Sequence, residues 1–257
     1  MQKRHQDRNT YFNELAVTSE ACFLPYIRQW HVVENGTDVL EVGCGEGGNL
    51  LPFARMGCHV TGVDLSVRRI EEARSFFGQA GAKGEFIAGD ILEVSGLEHR
   101  FDVILCHDVL EHVADKNRLL LRLAGFLKTD GILFMAFPAW QMPFGGHQQI
   151  SRNRILAHLP FIHLLPLPLY EGVLRLFGED AKTIRELLSI WRCRVTIEQF
   201  ESLLQPVGLT VVDRQLWLIN PHYEVKFRLT PRRLHALLSA IPRVRNFLSS
   251  SCFYLLK

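Results

Sequence analysis

The sequence predicts an α/β fold in which a mostly parallel sheet carries helices on both faces. Between residues 38 and 137, short runs rich in Val, Ile, Leu and Phe alternate with amphipathic segments. The runs show little polar alternation, which is typical of strands buried on both faces. Repeated strand–helix units of this kind indicate a doubly wound sheet. The five predicted strands span residues 38–42, 59–64, 85–88, 101–106 and 132–137.

Helical periodicity fills the intervals between these strands. Apolar residues recur at helical spacing in residues 67–77 and 117–127, so each segment predicts a helix with one buried face. Further along, Thr196 and Gln199 form a T-x-x-Q capping box, which opens a predicted helix that ends at Pro206. The remaining predicted elements are strands over residues 209–219 and 252–256 and, between them, a basic helical segment over residues 231–248.

Composition and charge exclude several classes of protein. The 257 residues are 47% hydrophobic and 22% charged, as in ordinary globular domains, which excludes collagen and extended disorder. The formal net charge of +2 gives no basic footprint for nucleic acid. The most apolar tract, residues 159–169, is shorter than the roughly 20 residues that span a bilayer, so we expect no stable membrane insertion.

The cysteines and the polar first residues predict a cytoplasmic protein. The chain has six scattered cysteines and no C-x-x-C pair, which is typical of reduced, buried thiols. Residues 1–8 lack the apolar core of a signal peptide. No group of His, Cys and Asp has the spacing of zinc ligands, so we predict no metal. Oligomeric state stays open.

The strongest local signal is a glycine-rich turn directly after the first predicted strand. Gly43, Gly45 and Gly48 satisfy G-x-G-x-x-G, and Asp64 ends the next strand about 20 residues further on, the spacing of a ribose-binding acid. This pattern fits a dinucleotide, whose pyrophosphate lies over the turn. An oxidoreductase that uses a nicotinamide or flavin dinucleotide is therefore one hypothesis.

Acidic side chains beside the glycines favour a positively charged ligand. Glu41 precedes Gly43 by two residues, and Glu46 lies inside the loop. Carboxylates here repel a pyrophosphate but attract an ammonium and a sulfonium, and S-adenosylmethionine contains both. Asp64 suits either ligand, because both contain ribose hydroxyls. Two structural alternatives stay open: Glu41 bonding to its own turn, and Asp64 capping the helix that begins at Val67.

An ordered set of motifs resembles the class I S-adenosylmethionine-dependent methyltransferases, in their small-molecule branch (methyltransferase type 11/23-like). The resemblance covers residues 35–137 well and residues 196–257 loosely. It implies a Rossmann-like sheet of seven strands, mostly parallel with the last strand antiparallel, and a helical insertion after the fifth strand. The matching motifs lie at residues 41–47, 60–66, 89–91, 101–113 and 127–132.

The resemblance also implies S-adenosylmethionine as the cofactor and assigns the residues that bind it. The glycine loop would hold the methionine end, Asp64 the ribose and Leu65 one face of the adenine. Asp90 and the Ile91 backbone would contact the adenine edge, and Tyr11 or Phe12 would come from an N-terminal helix. The implied cofactor-binding set is Tyr11, Glu41, Gly43, Cys44, Gly45, Asp64, Leu65, Asp90, Ile91, Cys106 and His107.

We expect a single domain over residues 1–257, divided by role along the chain. An N-terminal helical segment (1–34) precedes the cofactor-binding core (35–137). Residues 138–195 leave the carboxyl edge of the sheet, where ligands bind in open α/β folds, so they form a predicted helical lid over the acceptor. Residues 196–257 complete the sheet and contain the basic helical insertion.

Histidines near that edge are the candidate catalytic bases. Methyl transfer is a direct displacement, so alignment carries much of the catalysis, but a hydroxyl acceptor must also lose its proton. A histidine can take that proton at neutral pH. His147 is the first candidate, His107 the second and His112 the third. Asp108 and Glu111 are interpreted as a capping-box-like pair with no catalytic part.

These observations predict a methyltransferase acting on a small molecule, most simply on a hydroxyl. C- or N-methylation of a quinone-like or other metabolite is the alternative reaction. A cofactor-binding subunit without activity is the alternative from another class; residues 232–245 and 159–177 would then be docking surfaces. The identity of the acceptor stays open.

Overall fold

A computed structural model describes residues 7–257, so the first six residues of the predicted N-terminal segment lie outside the described part. Within it, eight strands form one sheet. The strands are β1 Asp38–Val42, β2 His59–Asp64, β3 Glu85–Ala88, β4 Phe101–His107, β5 Leu127–Phe137, β6 Val211–Ile219, β7 Arg232–Arg233 and β8 Ser251–Leu256.

The strand order is β3-β2-β1-β4-β5-β8-β6-β7. Strands β1 to β5 are mutually parallel, and β8 runs antiparallel between β5 and β6. The predicted mostly parallel sheet with an antiparallel last strand is therefore confirmed. The eighth strand is the two-residue β7, which pairs with β6 at the edge.

The helices cover both faces of this sheet. The two helices predicted between strands are present: α4 follows β2 and α5 follows β4. The predicted capping box of Thr196 and Gln199 opens α9. The helices are α1 Arg8–Thr18, α2 Leu24–Ile27, α3 Leu51–Arg55, α4 Val67–Gln79, α5 Lys116–Phe126, α6 Arg154–His158, α7 Leu167–Leu176, α8 Ala181–Cys193, α9 Ile197–Val207, α10 His222–Phe227, α11 Ala236–Ser239 and α12 Val244–Leu248.

The segment 231–248 is not the continuous helical piece that the sequence predicts. It contains β7 and two short helices, α11 and α12. Pro242 explains the break, because a proline lacks the amide hydrogen that an inner helical turn needs and its ring clashes with the preceding turn. Arg243, which follows it, has a φ of 67° and turns the chain into α12.

The insertion of residues 138–195 has a small apolar core of its own. Helices α6, α7 and α8 bury Leu156, Tyr170 and Leu187 against one another. Helix α8 also packs on a 3₁₀ turn, Leu110–His112, that follows β4. The insertion therefore stands beside the carboxyl ends of the parallel strands. No helix within residues 7–257 is both long enough and apolar enough to span a bilayer.

Candidate active site

The glycine loop leaves β1 in a conformation that only glycine adopts without strain. Gly43, Gly45 and Gly47 have φ values of 67°, 53° and 83°. A Cβ built on Gly43 would lie 2.3 Å from the Cγ2 atom of Val109, which follows β4. A Cβ on Gly45 would meet nothing within 4 Å. The loop backbone is thus open at Gly45, where a ligand can approach it closely.

Two carboxylates beneath this loop are fixed by hydrogen bonds. Glu41 is 2% exposed, and its Oε1 accepts from Asn49 Nδ2 at 2.7 Å. Asp64 accepts from the amides of Gly45 at 2.9 Å and Ser66 at 2.8 Å. Glu41 therefore bonds across the loop rather than within its own turn. The side chain that caps α4 is Ser66, so Asp64 is not a mere helix cap.

The electrostatics of these carboxylates fit a cationic ligand. Burial raises the pKa of Glu41 to about 8, and the negative charges of Asp64 and Glu46 add to that rise. Its Oε2 is buried and has no hydrogen-bond partner among residues 7–257. A buried carboxylate in this state is stabilised by a positive charge or a donor. The loop therefore fits the ammonium and sulfonium of S-adenosylmethionine.

The residues assigned to the adenine lie at the ends of the neighbouring strands β2 and β3. Leu65 is 74% exposed, so its apolar side chain is free to cover a flat ring. Asp90 is exposed, and its Oδ1 accepts from the Leu92 amide at 2.9 Å. Ile91 is buried beside it. This surface adjoins Asp64, as a nucleoside bound along the strand ends requires.

Helix α1 packs directly over the glycine loop. A Cβ on Gly48 would lie 2.5 Å from the Phe12 carbonyl oxygen, so the two backbones are in contact. Arg8 pairs with Glu46 at 3.1 Å. Burial and the nearby charges of Asp108 and Glu46 raise the pKa of Tyr11. Phe12 instead packs in the core.

Three of the residues predicted to bind the cofactor follow or end β1 and β4, and their side chains differ in where they lie. The side chain of Cys106 is completely buried in the apolar core, and that of Cys44 is 2% exposed, so only their backbones lie at the strand ends. The His107 ring is tilted by 45° against Phe23, with the ring centroids 5.1 Å apart, and its Nε2 is 3.6 Å from Asp108 Oδ2. The His107 side chain is thus 8% exposed and lies between Phe23 and Asp108.

The capping-box interpretation of Asp108 and Glu111 is wrong. Asp108 has a φ of 54°, and Val109 precedes the 3₁₀ turn without any side-chain capping bond. Glu111 is 2% exposed, and neither of its carboxylate oxygens has a hydrogen-bond partner among residues 7–257. Burial and the charge of Asp108 raise the pKa of Glu111 well above its usual range. This carboxylate belongs to the site and was missed from sequence.

Glu111 is in contact with two of the three candidate histidines. His147 Nε2 lies 3.6 Å from Glu111 Oε1, and His112 Nε2 lies 3.9 Å from the same atom. The two imidazole rings are perpendicular, with centroids 5.2 Å apart. Burial and the neighbouring His112 lower the pKa of His147 to about 4, and burial lowers the pKa of His112. We call Glu111, His112 and His147 the Glu–His–His cluster.

Two glycines bring His147 to this position. A Cβ on Gly145 would lie 2.3 Å from the Trp140 carbonyl oxygen, and a Cβ on Gly146 would lie 2.2 Å from His163 Cβ. The loop can therefore press against these neighbours only because both positions lack a side chain. His163 Nε2 is 2.7 Å from the Trp140 oxygen and secures the same contact.

Helix α10 borders the candidate site, which its sequence did not predict. Burial and the charge of Asp108 raise the pKa of Tyr223 to about 12. The Lys226 charge acts on His147, and the His222 ring lies 6.2 Å from that of Tyr11. No local sequence pattern marks this helix: it follows β6, which runs parallel to β5 and therefore ends at the same edge of the sheet.

Comparison with known proteins agrees with this geometry. Residues 40–135 match a family model described as a methyltransferase domain. The ubiquinone biosynthesis O-methyltransferase of Chelativorans sp. (strain BNC1) is 36% identical over 125 residues, which are 49% of this chain and 49% of that protein. The chain thus spans about half of the length of the curated relatives it matches.

Two solved structures share the fold across most of the chain. The magnesium protoporphyrin IX methyltransferase of Synechocystis PCC 6803, solved with bound SAH, has a TM-score of 0.56 at 16% identity and covers 95% of this chain and 82% of that one. A TehB-like SAM-dependent methyltransferase of Corynebacterium glutamicum has a TM-score of 0.53 at 16% identity, with 93% and 86% covered.

The strand order of the sheet and the glycine loop after β1 together define the class I methyltransferase fold. With the family match, residues 40–135 belong to the class I S-adenosylmethionine-dependent methyltransferases, as their motifs predict.

Proposed function

We propose that this protein uses S-adenosylmethionine to methylate a hydroxyl group of a small-molecule acceptor. The observation that carries the proposal is the pair of fixed carboxylates, Glu41 and Asp64, beside a glycine loop whose backbone is open at Gly45. When bound, S-adenosylmethionine supplies a methyl group on a sulfonium sulfur. Glu41 then faces the positively charged methionine end, and Asp64 accepts from the ribose hydroxyls. Leu65, Asp90 and Ile91 accommodate the adenine.

The reaction takes place between the glycine loop and the Glu–His–His cluster. The charge of Asp108 acts on both Tyr11 from α1 and Tyr223 from α10, so these two tyrosines border the space in which the acceptor oxygen and the methyl carbon would be aligned. The cluster holds the acceptor hydroxyl. His147 is proposed to receive its proton, with His107 and His112 as the other candidates.

A ring hydroxyl of a quinone-like molecule is the acceptor that this arrangement favours. The support is the similarity to curated relatives that are ubiquinone biosynthesis O-methyltransferases. The apolar insertion of residues 138–195 beside the strand ends suits an aromatic substrate. All six cysteines are free and five are buried, which supports action in the reducing cytoplasm.

The test is methyl transfer from labelled S-adenosylmethionine to a dihydroxylated aromatic ring, read by mass spectrometry of the product. The wild type should give a product heavier by one methyl on oxygen. His147→Ala should lower kcat by about 10² to 10⁴-fold, the usual worth of a positioned base, with donor affinity unchanged. His158→Ala is the matched control, since His158 is exposed on α6. Absence of product across hydroxyl, amine and carbon acceptors would refute the proposal.

A further inference from the structure

The Glu–His–His cluster has the geometry of a metal site with three protein ligands. One ligand atom from each of Glu111, His112 and His147 lies within 4.8 Å of the other two. Ligand atoms that surround a tetrahedral ion at about 2.1 Å are about 3.4 Å apart. The Glu111–His147 separation of 3.6 Å and the Glu111–His112 separation of 3.9 Å are close to that value. Small side-chain rotations would complete the site.

The buried carboxylate of Glu111 supplies an independent reason for a cation. It is 2% exposed, and both oxygens lack a hydrogen-bond partner among residues 7–257. Lys116, which contributes a positive charge nearby, donates its ammonium to the carbonyl oxygens of Val113 and Cys193. A buried carboxylate without a hydrogen bond is strongly unfavourable, and buried carboxylates are usually paired or coordinate metals. The groups that face Glu111 Oε1 are the two imidazoles of His147 and His112.

The backbone holds His147 in a conformation that costs free energy. Its φ of 55° lies in the left-handed region, which few non-glycine residues adopt. Such strain persists where the surrounding structure enforces it, and it concentrates at functional sites. Here the contacts of Gly145 and Gly146 enforce it, and the result is that the imidazole faces Glu111.

We propose that Glu111, His112 and His147 bind a divalent transition-metal ion of the Zn²⁺ or Mn²⁺ class. Two imidazoles and one carboxylate suit these ions, whereas Mg²⁺ and Ca²⁺ prefer oxygen ligands throughout. Sequence spacing predicts no metal, because His147 joins the adjacent pair only through folding. Three protein ligands also leave one coordination position open for a substrate.

The role of the ion rests on the proposed function. An ion of this class lowers the pKa of a hydroxyl that it binds. The acceptor O–H bond breaks with its electron pair left on oxygen, and the proton passes to solvent. That oxygen bonds to the methyl carbon while the carbon–sulfur bond breaks, with its pair moving to sulfur. His147 then acts as a ligand instead of receiving the proton directly.

The test titrates untagged, chelator-treated protein with Zn²⁺ alone by calorimetry, and with Co²⁺ by visible absorption. The wild type should bind about one equivalent and give the Co²⁺ absorption of a site with mixed nitrogen and oxygen ligands. His112→Ala and Glu111→Gln should each weaken Zn²⁺ binding by at least about 100-fold, because a direct ligand contributes at least as much as an outer-shell partner. His112 is 45% exposed, so its replacement spares the fold, and His158→Ala is the control.

The outcomes separate the metal site from the methyltransferase proposal. Absence of Zn²⁺ binding, or equal affinity in His112→Ala and the wild type, overturns the metal site. Donor binding is measured in the same chelated protein with S-adenosylhomocysteine. If that binding persists while Zn²⁺ binding fails, the proposed function stands and His147 remains the candidate base. If donor binding fails, the proposed function is refuted whatever the metal result.

Discussion

Replacing Gly43 by alanine should destabilise the protein more than the same change at Gly45. Both glycines have positive φ, so alanine incurs left-handed strain of about 1–2 kcal/mol at either position. Only Gly43 has an additional clash, since its Cβ would lie 2.3 Å from Val109 Cγ2, more than 1 Å inside ordinary contact. Overpacking of this kind adds about 1–3 kcal/mol. Gly43→Ala should therefore cost about 2–5 kcal/mol in total.

Val109→Ala isolates the clash, because it removes the offending Cγ2 atom. The next atom, Val109 Cβ, is 3.6 Å from the built Cβ of Gly43, which is an ordinary contact. In urea unfolding followed by tryptophan fluorescence, Val109→Ala should reduce the cost of Gly43→Ala by about 1–3 kcal/mol and leave that of Gly45→Ala unchanged. Equal costs at the two glycines, or purely additive effects of Val109→Ala on both, would refute the reasoning.

Two further predictions concern acid stability and thiol reactivity. Partial burial opposes ionisation of Glu198, but hydrogen bonds from the Arg243 amide and from Asn246 and Arg245 lower its pKa to about 2. The resulting stability is present above pH 4.5 and is lost as pH falls towards 2. The full pKa shift corresponds to about 3 kcal/mol of folding free energy. Because the Glu198 side chain is one-third exposed, solvent screening reduces this contribution to about 1–2 kcal/mol. Glu198→Gln should lose this amount at pH 7 and flatten the acid limb of stability against pH; an unchanged acid limb would contradict the assignment. Burial raises the pKa of Cys22 to about 12, and the other cysteines are buried, so none of the six thiols should react quickly with an aromatic disulfide at pH 8 until urea unfolds the chain. Rapid reaction in the native state would show that the described core is open.

The parts of the site that come from short sequence segments could be predicted, because their geometry is local. The glycine turn needs positive φ within a few residues of β1, and Asp64 ends the adjacent strand, so both follow from the chain itself. Strand β5 begins at Leu127, earlier than predicted. Its first residues could not be recognised from sequence, because residues 128–130 are polar, half-buried or exposed, and lack the apolar pattern of an inner strand.

The Glu–His–His cluster could not be predicted, because tertiary contacts assemble it. Glu111 lies next to His112 in sequence, but it contacts His147 only because Gly145 and Gly146 fit against Trp140 and His163. The spacing of Asp108 and Glu111 suggested a cap, and the left-handed φ of Asp108 prevents it. Helix α10 reaches the site through the parallel direction of β6, a topological fact rather than a local pattern.

The central claim is that fixed carboxylates under the glycine loop bind a cationic methyl donor. The most direct measurement is calorimetric titration with S-adenosylmethionine, and with NAD for comparison, of the wild type, Asp64→Asn and the control Asp130→Asn, whose side chain is exposed on β5. We expect the wild type and the control to bind the donor equally and not NAD. Asp64→Asn should bind the donor about 10–100-fold more weakly, the worth of hydrogen bonds to a charged group. Unchanged donor affinity in Asp64→Asn, or binding of NAD alone, would contradict the account.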